Sequence, residues 1–375
     1  METVTTATPI KTPEYDLVVI GGGPAGSSAA ITAAHSGARV LLLERGRLPR
    51  QRVCGEFVSA ESLDLLAGLL GRTVVCAEIL RIPEARLFVD GHVISTPVDP
   101  AAASIARFDL DADLWQAAEG CGLDARLQTS VENVSGSGPF HLTTSAGEFV
   151  SQAVICAAGR WSNLSQTSNP TNGHSQEKWL GVKAHFAEDS PHASVDLYFF
   201  EGGYCGVQPV WMAGSHDGRV NVCAMVRADV GRTLSEVFAR NPQLAERSGA
   251  WVPLMEPVTT SPLVFRKPQP TQDGMLLTGD AAGFVDPFVG DGISLALRSG
   301  ALAAECLIPF FGAEISLSEA TAQYVRVYER RLAPVFRNSS RVRRLLKLPR
   351  PVRRSILALL GRAPRITRHL VSMTR

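Results

Sequence analysis

The six residues Gly21-Gly22-Gly23-Pro24-Ala25-Gly26 constrain this chain most, because they fit G-x-G-x-x-G in the context that gives the pattern force. A short apolar run, Tyr15–Ile20, leads into them and reads as a buried strand. Ala25–Ser36 is rich in small residues and reads as a helix; Arg39–Glu44 reads as a second buried strand. Strand, helix and strand within about 30 residues make a βαβ unit and therefore a parallel sheet. Gly21 permits the tight turn, Gly23 lets the backbone approach a pyrophosphate, and Gly26 lets helix and strand pack closely. The helix start, with Pro24 and Ala25, offers free N–H groups and a positive dipole end to phosphates. Glu44 stands 18 residues after Gly26, near the roughly 20 expected for an acid that accepts hydrogen bonds from an adenosine ribose. A carboxylate there disfavours a 2′-phosphate, so FAD or NAD fits better than NADP. Arg45, beside it, is counted with the cofactor-binding residues.

A second segment separates these cofactors. Residues Gly279 to Ile293 read GDAAGFVDPFVGDGI, follow the strand-like Met275–Gly279 and open a helix over Ile293–Cys306. Glycines and proline in an otherwise apolar stretch let such a loop lie flat against a ring. Asp280 can accept hydrogen bonds from ribityl hydroxyls. The helix N-terminus beyond Gly290 and Gly292 can stabilise the negative edge of a reduced flavin. FAD is the expected cofactor, held by Gly279, Asp280, Pro287, Gly290, Gly292 and Ile293 together with the fingerprint.

These residues carry a resemblance. GDAAGFVDPFVGDGI resembles the flavin segment of the para-hydroxybenzoate hydroxylase fold and, within it, is most similar to the geranylgeranyl reductase branch; the match runs from residue 15 to about 310. The resemblance implies FAD lying against the Pro287–Gly292 loop. It implies a polar cofactor contact just before the helix Asp109–Gly120, a place held by Arg107. Hydroxylases of the fold carry Asp-Gly, associated with FAD and NADPH, after the strand that matches Ala153–Ala158. This chain has Ala158-Gly159 and then Arg160, which weakens the case for a self-sufficient NADPH-using hydroxylase. With no second G-x-G-x-x-G, the electron donor is expected to be external, either NAD(P)H or a reductase.

Arg52-Val53-Cys54-Gly55-Glu56 resembles the reductase branch, where a Cys-Gly pair sits near the flavin. The resemblance makes Cys54 a candidate proton donor, and thiolate formation would depend on positive charge such as Arg50 and Arg52. The branch's YxWxFP motif corresponds to Tyr204-Cys205-Gly206-Val207-Gln208-Pro209. Tyr204 is the second catalytic candidate. The two lost aromatics predict a smaller, more polar wall than a geranylgeranyl pocket needs. The WxWxIP motif of halogenases of this fold is not found. His185, on a strand, reads as structural.

The expected fold is α/β: a Rossmann-type FAD-binding domain with an inserted antiparallel β-sheet substrate domain and a helical C-terminal region. Residues 1–14 read as a disordered lead-in. The FAD-binding domain takes 15–83, 100–165 and 270–310, the substrate domain 84–99 and 166–269, and the helical basic region 311–375. Within these, Ser59–Leu70 and Glu319–Leu332 are expected helices, the latter capped by Ser318. Ala85–Val98 is a hairpin turning at Asp90–Gly91, and a meander turns near Gly136–Gly138 and Ala146–Gly147.

Seven cysteines without a CxxC pair argue for a reducing compartment and against a disulfide framework or a metal site. No signal peptide is visible, and no run of about 18 apolar residues predicts a membrane span; a cytoplasmic protein, peripheral to a membrane at most, is expected. The net charge of +1 conceals an asymmetry. Residues 331–375 hold thirteen of the 37 basic residues and none of the 36 acidic ones, leaving 24 against 36 in the body. Within that tail, residues 341–375 alternate arginines with leucine clusters, which suits an anionic membrane surface or an acidic carrier protein; no nucleic-acid partner is expected. The function expected is FAD-dependent reduction of a carbon–carbon double bond in an apolar or carrier-bound small molecule. An FAD-dependent monooxygenase and a non-catalytic flavin electron carrier are the alternatives.

Overall fold

The computed structural model describes residues 13–71, 79–160, 164, 178–211, 218–260, 263, 267–285 and 290–346, with side chains to residue 339. β1 (Tyr15–Ile20), α1 (Pro24–His35) and β2 (Val40–Leu43) form the βαβ unit, the strands pairing in parallel from Leu17–Val40 to Ile20–Leu43. Both strands are apolar throughout because both of their faces are covered. Successive side chains serve opposite cores. Leu17, Val19, Val40 and Leu42 join the helices, while Val18, Ile20, Leu41 and Leu43 join Phe140, Leu142 and Phe149.

The chain continues through β3 (Phe57–Val58), α2 (Leu63–Leu70), β4 (Leu80–Val89), β5 (His92–Ser104), α3 (Arg107–Gly120) and β6 (Asp124–Arg126). β4 and β5 turn at Asp90–Gly91, with φ of 51° and 83°, the conformation an Asp-Gly pair adopts most readily. β7 (Val131–Gly136), β8 (Phe140–Thr144) and β9 (Gly147–Cys156) make the expected meander. β10 (Trp179–Ala187), β11 (Ser194–Phe200), β12 (Gly203–Pro209) and β13 (Arg219–Arg227) follow, then α4 (Leu234–Phe238) and α5 (Pro242–Ser248). The short strands β14 (Val252–Pro253), β15 (Val258–Thr260), β16 (Thr271–Gln272) and β17 (Met275–Leu277) lead into α6 (Gly292–Phe311), α7 (Leu317–Arg331) and α8 (Ala333–Leu346).

The strands make two sheets. The first has the order β16-β17-β9-β1-β2-β6, with β8 and then β7 attached to β9. The second has the order β14-β10-β13-β12-β11-β4-β5-β3, with β15 also on β10. An antiparallel second sheet is expected from the sequence, but one of its pairings departs from that: β11 pairs in parallel with β4, from Ser194–Glu84 to Tyr198–Phe88. No tight turn joins those two strands, so nothing local imposes the antiparallel sense.

Helices α1 and α6 cross closely on the first sheet. A Cβ added at Gly300 would come within 2.1 Å of the Ala25 carbonyl oxygen, and Ser28 Oγ donates to the Leu297 carbonyl at 2.8 Å. Among the described residues α6 is the helix long and apolar enough to cross a membrane, a feature the sequence reading did not anticipate because Arg298 and Glu305 interrupt its apolar runs. It is a core helix here, with Leu297, Ala303, Ala304 and Leu307 fully buried. The cap of α7 is Ser316 rather than Ser318, because Ser316 and Glu319 close a reciprocal capping box and draw the helix start back.

Candidate functional site

A cavity of about 810 Å³ opens where the C-terminal ends of β1, β2 and β9 meet the second sheet. Its floor is the β1–α1 turn. Gly21, at φ 108°, tucks under Ala157, and Gly26 packs beneath the Gly21 carbonyl. Gly23, the N-cap of α1, has no side-chain cap and no atom within 4 Å of where its Cβ would stand. Beyond it Pro24 brings no N–H, and the N–H groups of Ala25 and Gly26 have no earlier turn to pair with. The result is an open anion cradle of backbone donors.

Glu44, buried beside this turn, is already engaged. Oε2 accepts the Gly22 N–H at 3.0 Å, while Oε1 accepts the Gly46 N–H at 2.8 Å and Arg50 Nη2 at 3.1 Å. Three of about four acceptor positions on the carboxylate are used, which leaves one for a ribose hydroxyl. Arg45 is exposed at the rim of the same cavity.

Arginines line the middle of the cavity. Arg107 is the first residue of α3, not a loop residue before it, and it is not a solvated surface arginine. Nε and Nη2 fork onto the fully buried Asp111 at 3.0 and 2.9 Å. Burial works against its charge, but Asp111 and then Cys54 hold it well above the ordinary arginine value. Among the described residues no carboxylate forms an ion pair with Arg52, although Glu44 and Asp111 act on it from further off. Burial first, then the repulsion of Arg50 and Arg107, draws its pKa down to about 10, and its Nε is buried without a hydrogen bond. A half-buried guanidinium facing a cavity without an ion-paired carboxylate is suited to an anionic ligand. The sequence reading connected Arg52 only with the nearby thiol; its spacing from Glu44 gave no separate signal.

The closing segment forms the opposite lip. Gly279, at φ 55°, starts a 3-10 turn with Asp280, and Gly290, at φ 73°, lies against the Phe57 ring. Gly292 and Ile293 open α6 toward the cavity, one residue earlier than expected. Pro287 lies outside the described residues. Asp280 is half-exposed to the cavity, its side chain 39% accessible, and the protein packed around it raises its carboxyl above the ordinary value against the pull of Arg160 and Arg107. Arg160 Nε stands 3.5 Å from Asp280 Oδ2, and its guanidinium lies 4.2 Å over the Phe284 ring. The residue after the Ala158-Gly159 pair thus replaces a lost acid with a cation at the same cavity.

Cys54 and Tyr204 line the cavity together. The Cys54 thiol accepts the Glu56 N–H at 3.4 Å and sits beside the Arg107 guanidinium. Burial and the proximity of Cys54 push the Cys223 thiol on β13 up to about 12. Tyr204 packs with Trp179, Met225 and Leu263, 5.9 Å from the Phe199 ring. Gly206 and Gln208 do not line the cavity; Gln208 is buried and donates to Ser104 Oγ at 2.7 Å. Val53, Tyr204, Met225, Leu263 and Phe284 give this wall an apolar patch, with Thr259 and Thr260 beside it, where the motif led to the expectation of a smaller, more polar surface.

Glu56, which also lines the cavity, belongs to a buried group whose members are distant in sequence. Glu56, Lys183 and His185 are buried and joined, Oε1 to Nζ at 2.6 Å and Oε2 to Nε2 at 2.8 Å. His185 is buried on its strand, and its partner Glu56 lies two residues from the candidate catalytic thiol. Lys183 and His185 at alternate positions of an apolar strand were the visible signal.

The described residues fit FAD. The gap over Gly23 and the Arg52 guanidinium suit a pyrophosphate, Glu44 a ribose, and the lips at Ala158 and Gly290–Ile293 a flat ring. The sequence model of the family described as "FAD binding domain" matches residues 14–317. Digeranylgeranylglycerophospholipid reductase 2 of Methanopyrus kandleri is 28% identical over 337 residues, which cover 85% of this chain and 82% of that protein. Among solved structures, a geranylgeranyl bacteriochlorophyll reductase-like protein from Thermoplasma acidophilum superposes with a TM-score of 0.75 at 20% identity, covering 96% of this chain and 95% of that one. The myxobacterial chondrochloren halogenase superposes at 0.71 with 22% identity, covering 84% and 79%.

Proposed function

The chain belongs to the FAD-binding domain family and is an FAD-dependent oxidoreductase, and from that premise we propose that it reduces a carbon–carbon double bond in an apolar or carrier-bound small molecule. The observation that carries this reading is the shared cavity: Cys54, the fingerprint turn and the α6 N-terminus line one space whose far wall carries an apolar patch. FAD, once bound and reduced by an external donor, supplies the hydride. The side chains of the chain do the rest. Val53, Tyr204, Met225, Leu263 and Phe284 receive an apolar substrate and exclude water. Cys54 gives a proton to the carbon opposite the one that accepts hydride, and Arg107 stabilises the thiolate left behind. The reductase name of the M. kandleri relative points the same way. A cavity of about 810 Å³ that holds both Cys54 and Tyr204, rather than a flat surface, favours an enzyme over an electron carrier.

The two sheets support a division into an FAD-binding lobe and a substrate lobe. The basic stretch 341–375, most of which lies outside the described residues, is proposed to contact an anionic membrane surface or an acidic carrier protein. Removing it should abolish liposome or carrier binding.

The test of the reaction is anaerobic. The FAD-loaded protein is reduced chemically, a polyisoprenoid alkene is added, and flavin absorbance is followed. Return of the oxidised spectrum with formation of the saturated product supports the proposal. Turnover that strictly requires oxygen and leaves an oxygen atom in the product replaces it with the monooxygenase reading.

A further inference from the structure

Among residues 50–56 only Glu56 is fully buried, and groups from β10 and the start of α3 converge on its carboxylate. Oε1 accepts from Lys183 Nζ at 2.6 Å and from the Arg107 backbone N–H at 2.9 Å; Oε2 meets His185 Nε2 at 2.8 Å. Lys183, equally buried, also donates to Gln51 Oε1 at 2.9 Å. The Glu56 backbone is left-handed, at φ 59°, a conformation unfavourable for any residue but glycine. That conformation turns its N–H back onto Cys54 Sγ at 3.4 Å, while Asn221 Nδ2 on β13 holds the Cys54 carbonyl at 3.1 Å.

Fold stability is a poor explanation for this arrangement. A buried ion pair gains little over an apolar replacement, because desolvation offsets the attraction, and strained backbone at a cavity wall is characteristic of functional sites. We propose that Glu56, Lys183 and His185 are positioning residues that set both the orientation and the proton affinity of the Cys54 thiol. The Glu56 backbone N–H meets the thiol in the turn, and Lys183 and His185 on β10 hold the carboxylate of the same residue. Burial favours protonation of Glu56, yet His185 and Lys183 keep its carboxyl below the ordinary value, so the carboxylate is charged. The other titratable or charged groups at the thiol are Arg107 on α3 and Cys223 on β13, with Arg52 and Arg160 further round the cavity.

The charges predict opposite effects from two substitutions. Glu56→Gln removes a negative charge and leaves the ammonium, so the thiolate is favoured and the thiol's midpoint falls. Lys183→Met removes the positive charge, and the midpoint rises. A turn that is merely loosened would move both variants in the same direction. The meaning of the inference rests on Cys54 acting at the reacting end of the cavity, but its test reads the thiol itself and does not depend on alkene reduction.

The experiment is alkylation of the FAD-loaded full chain with iodoacetamide across a pH series, with Cys54 modification followed by peptide mass spectrometry. The expected shifts are about one pH unit down for Glu56→Gln and up for Lys183→Met, each about a tenfold change in rate below the midpoint. His185→Asn keeps the ion pair and removes a donor that offsets the carboxylate, so its midpoint also rises. Shifts in the same direction for the first two variants, or no shift in any, overturn the proposal. If those two variants fail to retain FAD, His185→Asn decides alone, and an unshifted midpoint overturns it.

Discussion

Gly26 lies directly beneath the carbonyl oxygen of Gly21, where an added Cβ would come within 1.7 Å, whereas a Cβ on Gly23 would meet nothing within 4 Å. Two glycines of one motif therefore fail in different ways. Gly26→Ala pushes α1 off the sheet and should cost about 1–3 kcal/mol of stability, with FAD lost as a consequence. Gly23→Val should leave the apoprotein's melting curve within about 0.5 kcal/mol of wild type and abolish FAD binding alone. Circular dichroism melts and the flavin content of the purified proteins check both. A yellow Gly23→Val protein would show that the gap is not the cofactor's.

Among the described residues Arg52 forms no ion pair, so its removal should cost affinity rather than fold. Arg52→Gln is expected to weaken FAD binding about tenfold or more, the scale of a charge-assisted hydrogen bond worth roughly 1.5–3 kcal/mol. Its apoprotein should melt no lower than wild type, since relief of repulsion from Arg50 and Arg107 offsets any lost packing. Fluorescence titration of apoprotein with FAD measures the first effect, and a melt measures the second. Unchanged affinity would assign the guanidinium to the substrate.

Asp280 supplies a pH dependence. A carboxyl whose pKa is higher in the folded than in the unfolded protein binds more protons when folded, so stability falls as pH rises from the ordinary value of 3.8 through the folded value. Asp280→Asn removes that cost. The apo variant should melt above wild type at neutral pH, and the difference should close as the pH falls below 3.8. It should also hold FAD more weakly, as expected where a functional group is kept at the expense of stability. A variant that melts lower than wild type at neutral pH counts against the raised carboxyl.

Cys54 and Tyr204 can be separated by one comparison. Cys54→Ala should slow anaerobic reoxidation of the reduced protein by alkene about 10²–10⁴-fold, the usual weight of a general acid, with FAD retained. Tyr204→Phe keeps the packing with Met225 and Leu263 and should change the rate only several-fold. The reverse ranking in stopped-flow traces would transfer the proton donor role to the phenol.

Parts of this site are legible in the sequence because their causes are local. The fingerprint, its two apolar strands and the closing glycines each combine a backbone requirement with a hydrophobic period, and β1, β2 and α1 follow within a residue or so. Arg107 is harder, although Asp111 four residues on is the kind of neighbour that signals a paired rather than a solvated arginine on a helix. The triad lies beyond such reasoning. Glu56 is 127 residues from Lys183 and 129 from His185, and β3 and β10 stand far apart in the strand order of the second sheet, so not even strand pairing foretells the contact. Gly206 and Gln208 mislead for the same reason: a motif shows which side chains are present but not which of them reach the cavity.

The parallel pairing of β11 with β4 ties Arg86 to Asp196 across 110 residues of chain, and the first sheet in turn is completed by β17, after the second has been threaded. Each sheet thus interrupts the other. The second sheet cannot be moved between relatives as a single cassette. It would have to be grafted in three pieces, β3, the β4–β5 hairpin and β10–β15, each of which must keep the ends that anchor it to the cofactor-binding half. Variation of the substrate in such a scaffold is therefore most accessible by changing side chains on a fixed backbone, at Val53, Met225, Leu263 and Phe284.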